Sequence, residues 1–127
     1  MTHDDFANHQ ASIVEAIIQL GNTKGKEYAR SDNRFDNFNR TADSLDLPRL
    51  KVAYIYLVKH LDAITSYCKN GEVISTESIH SRIYDAILYL MLIDGMIEET
   101  EQGPKEAYAT NPLQQKTPQA SRRQSGF

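Results

Sequence analysis

The chain has one cysteine, no tryptophan, four prolines and six glycines among its 127 residues. A single cysteine, Cys68, excludes an internal disulfide and cannot build a thiolate-rich metal site alone. Its place in an apolar pattern marks it as a small core residue. Long apolar runs are also missing. None approaches the ~18 to 20 residues of a membrane-spanning helix. The opening Met-Thr-His-Asp-Asp lacks the charged-then-apolar order of a secretory signal, so the expected place of action is the cytoplasm. Positive charge is in deficit, with a net charge of −3 and a pI near 5.8. That excludes broad binding to duplex DNA, which needs a basic face, and leaves room for a small phosphorylated ligand met by a few local arginines and lysines. Zinc-ligand spacing, a glycine-rich phosphate loop and a nucleophile elbow are all lacking.

Helical periodicity is present in force. Phe6, Ile13, Ile17 and Leu20, widened by Val14 and Ile18, predict a first helix over about Asp4 to Lys24, with Thr2, Asp4 or Asp5 as its cap and Gly21 and Gly25 weakening its end. A polar stretch follows, read as loop to about Arg34 and then as a short helix from Phe35 to Leu45. Leu50, Tyr54, Leu57, Val58, Leu61, Ile64 and Cys68 predict a long helix over about 47–70, with Asp46 as cap, Pro48 in the first turn and Asn70-Gly71 as the stop. Ile79, Ile83, Ala86, Ile87, Leu90, Ile93 and Ile97 predict another over about 77–99. Leu88, Leu92 and Met96 give that helix a second apolar face, so it is either central or part of a subunit interface. A homodimer or larger assembly is the expectation.

These segments make an all-α domain over residues 1–101, a small helical bundle. From 102 to the end, glycine, proline, glutamine and Ser-Arg-Arg-Gln-Ser replace large apolar groups, and burial there cannot offset the entropy of ordering. A flexible tail is expected, able to act as a docking handle for an adaptor.

Three polar groupings interrupt the helical pattern. Lys26 to Arg40 concentrates cations, asparagines and aromatics: Arg40 suits phosphate because its fork bonds two oxygens at once, Tyr28 and Phe38 suit stacking on a base, and Asn37 suits a base edge. Lys59 and Asp62 share a side of the third helix, three residues apart, where Tyr56 also projects; His60 points elsewhere and reads as a satisfied buffer between helices. Arg82 and Asp85 share a side of the last helix and either pair with each other or join Lys59 and Asp62 in one cluster. No set of carboxylate pairs like that of the helical nucleotide pyrophosphatases is present: the one Glu-x-x-Glu, Glu98 to Glu101, lies at a helix end. Mg²⁺ therefore has weak support, no cofactor is expected, and the balance leans away from an enzyme.

The blocks Lys-Glu-Tyr-Ala (26–29), Asp-Asn-Phe-Asn-Arg (36–40), Tyr-Leu-Val-Lys-His-Leu-Asp-Ala-Ile (56–64), Glu-Ser-Ile (77–79) and Arg-Ile-Tyr-Asp-Ala-Ile-Leu-Tyr-Leu (82–90), in that order, resemble a family of small phage and prophage proteins labelled as a nucleotide-modification-associated domain. The resemblance spans about residues 20 to 97. It implies a phage protein working near nucleotide metabolism and brings no established mechanism. Joined to the residue reading, it gives a nucleotide or nucleotide-derived ligand held by Tyr28, Asn37, Phe38, Arg40, Lys59, Asp62, Arg82 and Asp85. Sequestration of a cyclic-nucleotide immune signal and an adaptor role are the alternatives.

Overall fold

The computed structural model describes residues 1–28, 30–72 and 76–102. Four helices account for most of them: α1 (His3–Tyr28), α2 (Asp36–Leu45), α3 (Arg49–Asn70) and α4 (Ile79–Gln102), with no strand among the described residues. The all-α expectation is met. Apart from Gln102, which closes α4, the expected tail lies outside the described residues.

Helix α1 opens on a reciprocal cap. The Asp5 amide donates to Thr2 Oγ1 and the Thr2 amide to Asp5 Oδ2, each at 3.0 Å. The Thr2 amide, first, and the Thr2 hydroxyl hold the Asp5 carboxyl below its ordinary value. The helix does not weaken at its glycines and runs four residues past Lys24, to Tyr28. The glycines serve close approach instead. A Cβ at Gly21 would meet Leu88 Cδ1 at 3.1 Å, and one at Gly25 would meet Arg34 Nε at 2.9 Å. Their helix-propensity cost, about 1 kcal/mol each, is offset by packing against α4 and the segment before α2.

The junction between α2 and α3 corrects the expected cap. Asp46 ends α2 in the left-handed region (φ 55°, ψ 48°), its amide donating to the Ala42 carbonyl. Pro48 is the N-cap of α3, and its carbonyl accepts from Lys51 and Val52 at 3.0 and 3.2 Å. The proline bars helical geometry at the residue before it, so an aspartate at 46 sits too early to cap α3. Gly71 stops α3 as the sequence indicates, at φ 68°.

Helix α4 is the middle helix. Helix α3 packs along it, α1 lies against it at Leu88, and α2 packs on α3. The core joins Ile17, Phe38, Ala42, Val52, Ala53, Leu88, Leu92 and Met96. Much of the two-sided apolar character of α4 is thus used within one chain. On α3 the buried positions are Val52, Ala53, Leu57 and His60, so the helix is rotated from the expected stripe: Tyr54 and Leu61 are exposed, and Cys68 is exposed rather than core. The expected stripe counted every apolar residue alike, whereas the contact with α4 selects the small Ala53 for close approach. Arg49 ties the far end together, donating to the Met96 carbonyl at 3.2 Å and lying over the Phe35 ring. No described helix is long and apolar enough to cross a membrane.

Candidate functional site

Helices α1, α2, α3 and α4 together enclose a cavity of about 430 Å³, within the size range of small-molecule sites. Each helix sends polar groups into it. Lys24 and Tyr28 come from the last turns of α1, and Asn37, Arg40 and Thr41 from α2. Tyr56, Lys59 and His60 come from α3, and Asp85 and Tyr89 from α4, with Arg34 and Glu77 at the edges. Phe38 is buried at its base, its ring edge-on to Tyr56 at 6.2 Å and to Tyr89 at 6.1 Å.

Asp85 is the electrostatic centre. Its side chain is 7 % exposed, and Lys24 Nζ reaches it across 2.6 Å from α1. Burying that carboxylate costs free energy unless a partner meets it, and the partner is Lys24 rather than Arg82. Arg82 turns to Glu77 at 3.1 Å and, through Nη1, to His60 Nδ1 at 3.4 Å. Asp85 Oδ2 lies 3.9 Å from the same Nδ1, too far for a hydrogen bond. Nδ1 cannot accept from Arg82 and donate to Asp85 at once, and the shorter contact assigns it as acceptor on a neutral ring. Burial, first, pushes the His60 imidazolium down, against the attraction of Asp85 and with the repulsion of Lys59, Arg82 and Lys24. The ring stacks on Tyr89 at 5.4 Å. Burial is also the main cause that raises the Tyr89 phenol, reinforced by Asp85.

Cations dominate the lining. Arg40 spans Asp36 (3.1 Å) and the Tyr28 carbonyl (3.2 Å), which fixes its guanidinium at the junction of α1 and α2. Arg34 has only a long 3.5 Å contact to the Gly21 carbonyl, and burial lowers its guanidinium from its usual value. Among the described residues Lys59 makes no hydrogen bond or ion pair. Four cations, Lys24, Arg34, Arg40 and Lys59, therefore face two carboxylates, Glu77 and Asp85, in a chain whose net charge is −3.

Of the residues singled out in the sequence, the structure brings Tyr28, Asn37, Phe38, Arg40, Lys59 and Asp85 around this one cavity. Asp62 is exposed and does not line it, because the register that buries Ala53, Leu57 and His60 turns position 62 outward. Arg82 stands behind the wall, reaching it through His60 and Glu77. The proposed Lys59–Asp62–Arg82–Asp85 cluster does not form. Arg34, in the cation-rich segment, and Tyr56, on the side of Lys59, also line the cavity, whereas sequence reasoning missed Lys24, Tyr89 and the role of His60. A signal existed for two of them: Lys24 continues the Ile17–Leu20 stripe and His60 the Ala53–Leu57 stripe, each as a polar residue at a core-facing position. Among the described residues no group of three His, Cys, Asp or Glu side chains is placed to hold a metal ion.

Comparison of the chain with models of protein families, with curated proteins and with solved structures finds no match.

Proposed function

We propose that the protein binds a nucleotide or nucleotide-derived ligand in the cavity between its four helices. The observation that carries this reading is the excess of cations over carboxylates around an aromatic-lined pocket in a net-acidic chain. Arg40, Lys59 and Arg34 meet phosphate, and Lys24 adds a fourth charge while holding Asp85. Tyr28, half-exposed at the end of α1, stacks on a base, and Tyr56 and Tyr89 provide an aromatic wall over Phe38. Asn37 and Asp85 meet polar edges of base or ribose. The resemblance of residues 20–97 to a phage nucleotide-modification-associated family supports the same ligand class and a cytoplasmic, phage-encoded setting. Sequestration of a cyclic-nucleotide signal uses the same contacts and differs only in the fate of the ligand.

The test is direct. Protein is purified and denatured, and released small molecules are identified by mass spectrometry. Binding of nucleoside mono-, di- and triphosphates and cyclic dinucleotides is then measured by calorimetry. Micromolar binding by the wild type, lost at least tenfold in an Arg40→Ala, Lys59→Ala double variant, is expected, since two charge-assisted contacts contribute about 3 to 6 kcal/mol at most. No co-purifying or added nucleotide bound at millimolar concentration sinks the reading. An intact cyclic nucleotide among the released molecules favours sequestration, and turnover of added nucleotide favours an enzyme. Self-association belongs to the same proposal. Its support is the exposed apolar side chains Tyr54, Ile55 and Leu61 on α3 and Leu90 and Met91 on α4. Light scattering on the same samples tests it, and a monomer mass at micromolar concentration refutes it.

A further inference from the structure

A second cavity, of about 680 Å³, adjoins the first at Arg34. Arg34 and Leu88 line both, so these two side chains form their shared wall. The second cavity differs in character. Ile17, Ile18, Leu88 and Met91 make it mostly apolar, whereas cations, phenols and carboxylates crowd the first. Arg34 is held in the shared wall by shape rather than by charge. A Cβ at Gly25 would meet Arg34 Nε at 2.9 Å and Cδ at 3.1 Å, so the side chain lies against the α1 backbone where glycine leaves room. Its guanidinium is partly buried and pairs with no carboxylate among the described residues; Asp32, which lines the second cavity, makes no ion pair with it.

A partly shielded cation without a counter-charge is costly, and an anion placed against it offsets that cost. The planar fork of a guanidinium can hold one anionic group while the substituents of that group diverge to either side. We propose that the phosphate held at Arg34 is a diester, with a nucleoside in the polar cavity and a second, planar or apolar group in the cavity lined by Ile18 and Met91. This rests on the nucleotide reading above and specifies its ligand class: nucleotide phosphodiesters rather than terminal monophosphates. A monophosphate occupies the first cavity alone and leaves the apolar walls of the second in water, whereas a diester buries them.

Calorimetry on the full chain with three probes provides the test: AMP, the methyl ester of its phosphate, and the dinucleoside monophosphate ApA. Charge alone predicts that AMP binds tightest, since a phosphomonoester carries about −1.5 to −2 at pH 7 and a diester only one charge. ApA is instead expected to bind at least about tenfold tighter than either of the others, through burial of its second nucleoside. Asn22→Trp, at an exposed position of α1 that lines the second cavity, should fill that space. It should bring ApA down to the affinity of the methyl ester and leave AMP unchanged. Ser31→Trp, at another exposed position on the same cavity, should act alike, so the test does not depend on one variant folding. ApA binding no tighter than the methyl ester, or a gap that persists in both variants, overturns the second compartment while leaving nucleotide binding intact. Absence of binding by all three probes and by ATP at millimolar concentration overturns both.

Discussion

Helices α3 and α1 both lie on α4, and different physics holds each of them there. Helix α3 buries Val52, Ala53, Leu57 and His60 along its length. Helix α1 is longer, at 26 residues, and buries Ile17 alone. Its remaining hold on the core and on α4 is the partly buried Ile13 and Leu20, the Lys24–Asp85 ion pair and the close approach of Gly21 to Leu88. The pair α3–α4 is therefore the scaffold, and α1 is a thinly attached arm that carries Lys24 and Tyr28 to the cavity. Stability should reside in the first contact. Ordering of the site should depend on the second.

The largest expected effect tests the scaffold. Met96 on α4 is fully buried in the core. Met96→Ala should lower the unfolding free energy by about 2 to 5 kcal/mol, through lost burial and the cavity left behind. Urea denaturation measures the loss, and hydrogen exchange should show α3 and α4 amides losing protection together. A change below 0.5 kcal/mol would contradict the placement of α4 at the centre.

A smaller effect, local to the arm, is expected from Lys24→Ala. It leaves the Asp85 carboxylate buried without its nearest cation. The cost should be about 1 to 3 kcal/mol, below the 3 to 5 of a fully enclosed pair because water reaches Lys24, whose side chain is 30 % exposed. Exchange should quicken in α1 more than in α3. Adding Asp85→Leu to Lys24→Ala should recover part of the loss, since the apolar replacement removes the orphaned charge. If α1 and α3 amides respond equally, the two contacts are not distinct and the contrast between arm and scaffold fails.

The difference between the two contacts also explains what could be read in the sequence. Existence and type of all four helices were legible, those of α1, α3 and α4 from periodicity, and Gly71 from the need for positive φ. The rotation of α3 did not, because Tyr54, Leu61 and Cys68 continue an apolar repeat as well as Ala53 and Leu57 do, and only the partner surface of α4 decides between the two. Within the site, Asn37, Phe38 and Arg40 were legible as a dense local segment. Lys24 and Asp85, 61 positions apart, were not legible as a pair, because side chains that far apart in sequence meet only through the packing of α1 on α4. Asp62 shows the converse. Spacing placed it beside Lys59, but one step of helical rotation separates a residue that reaches the cavity from one that faces water.

The smallest effect is one of pH, and it pulls stability and site charge in opposite directions. Burial holds His60 neutral in the folded state, while the unfolded chain takes up a proton near the ordinary histidine value of about 6.5. Below that pH the unfolded state binds more protons, so the contribution of His60 to stability is present above about 6.5 and is lost as pH falls through the lower folded value. The urea midpoint should therefore drop between pH 7.5 and pH 5, and His60→Phe, which keeps an aromatic ring against Tyr89, should remove that part of the drop. Protonation of folded His60 adds a cation to a wall already lined by Lys59, Lys24 and Arg40, so nucleotide affinity should rise only as pH falls through the lowered folded value, below the range in which most of the stability is lost. A denaturation profile that keeps its full pH dependence in His60→Phe would move the titration to another group. It would also sever the proposed link between the scaffold's one buried histidine and the charge of the cavity.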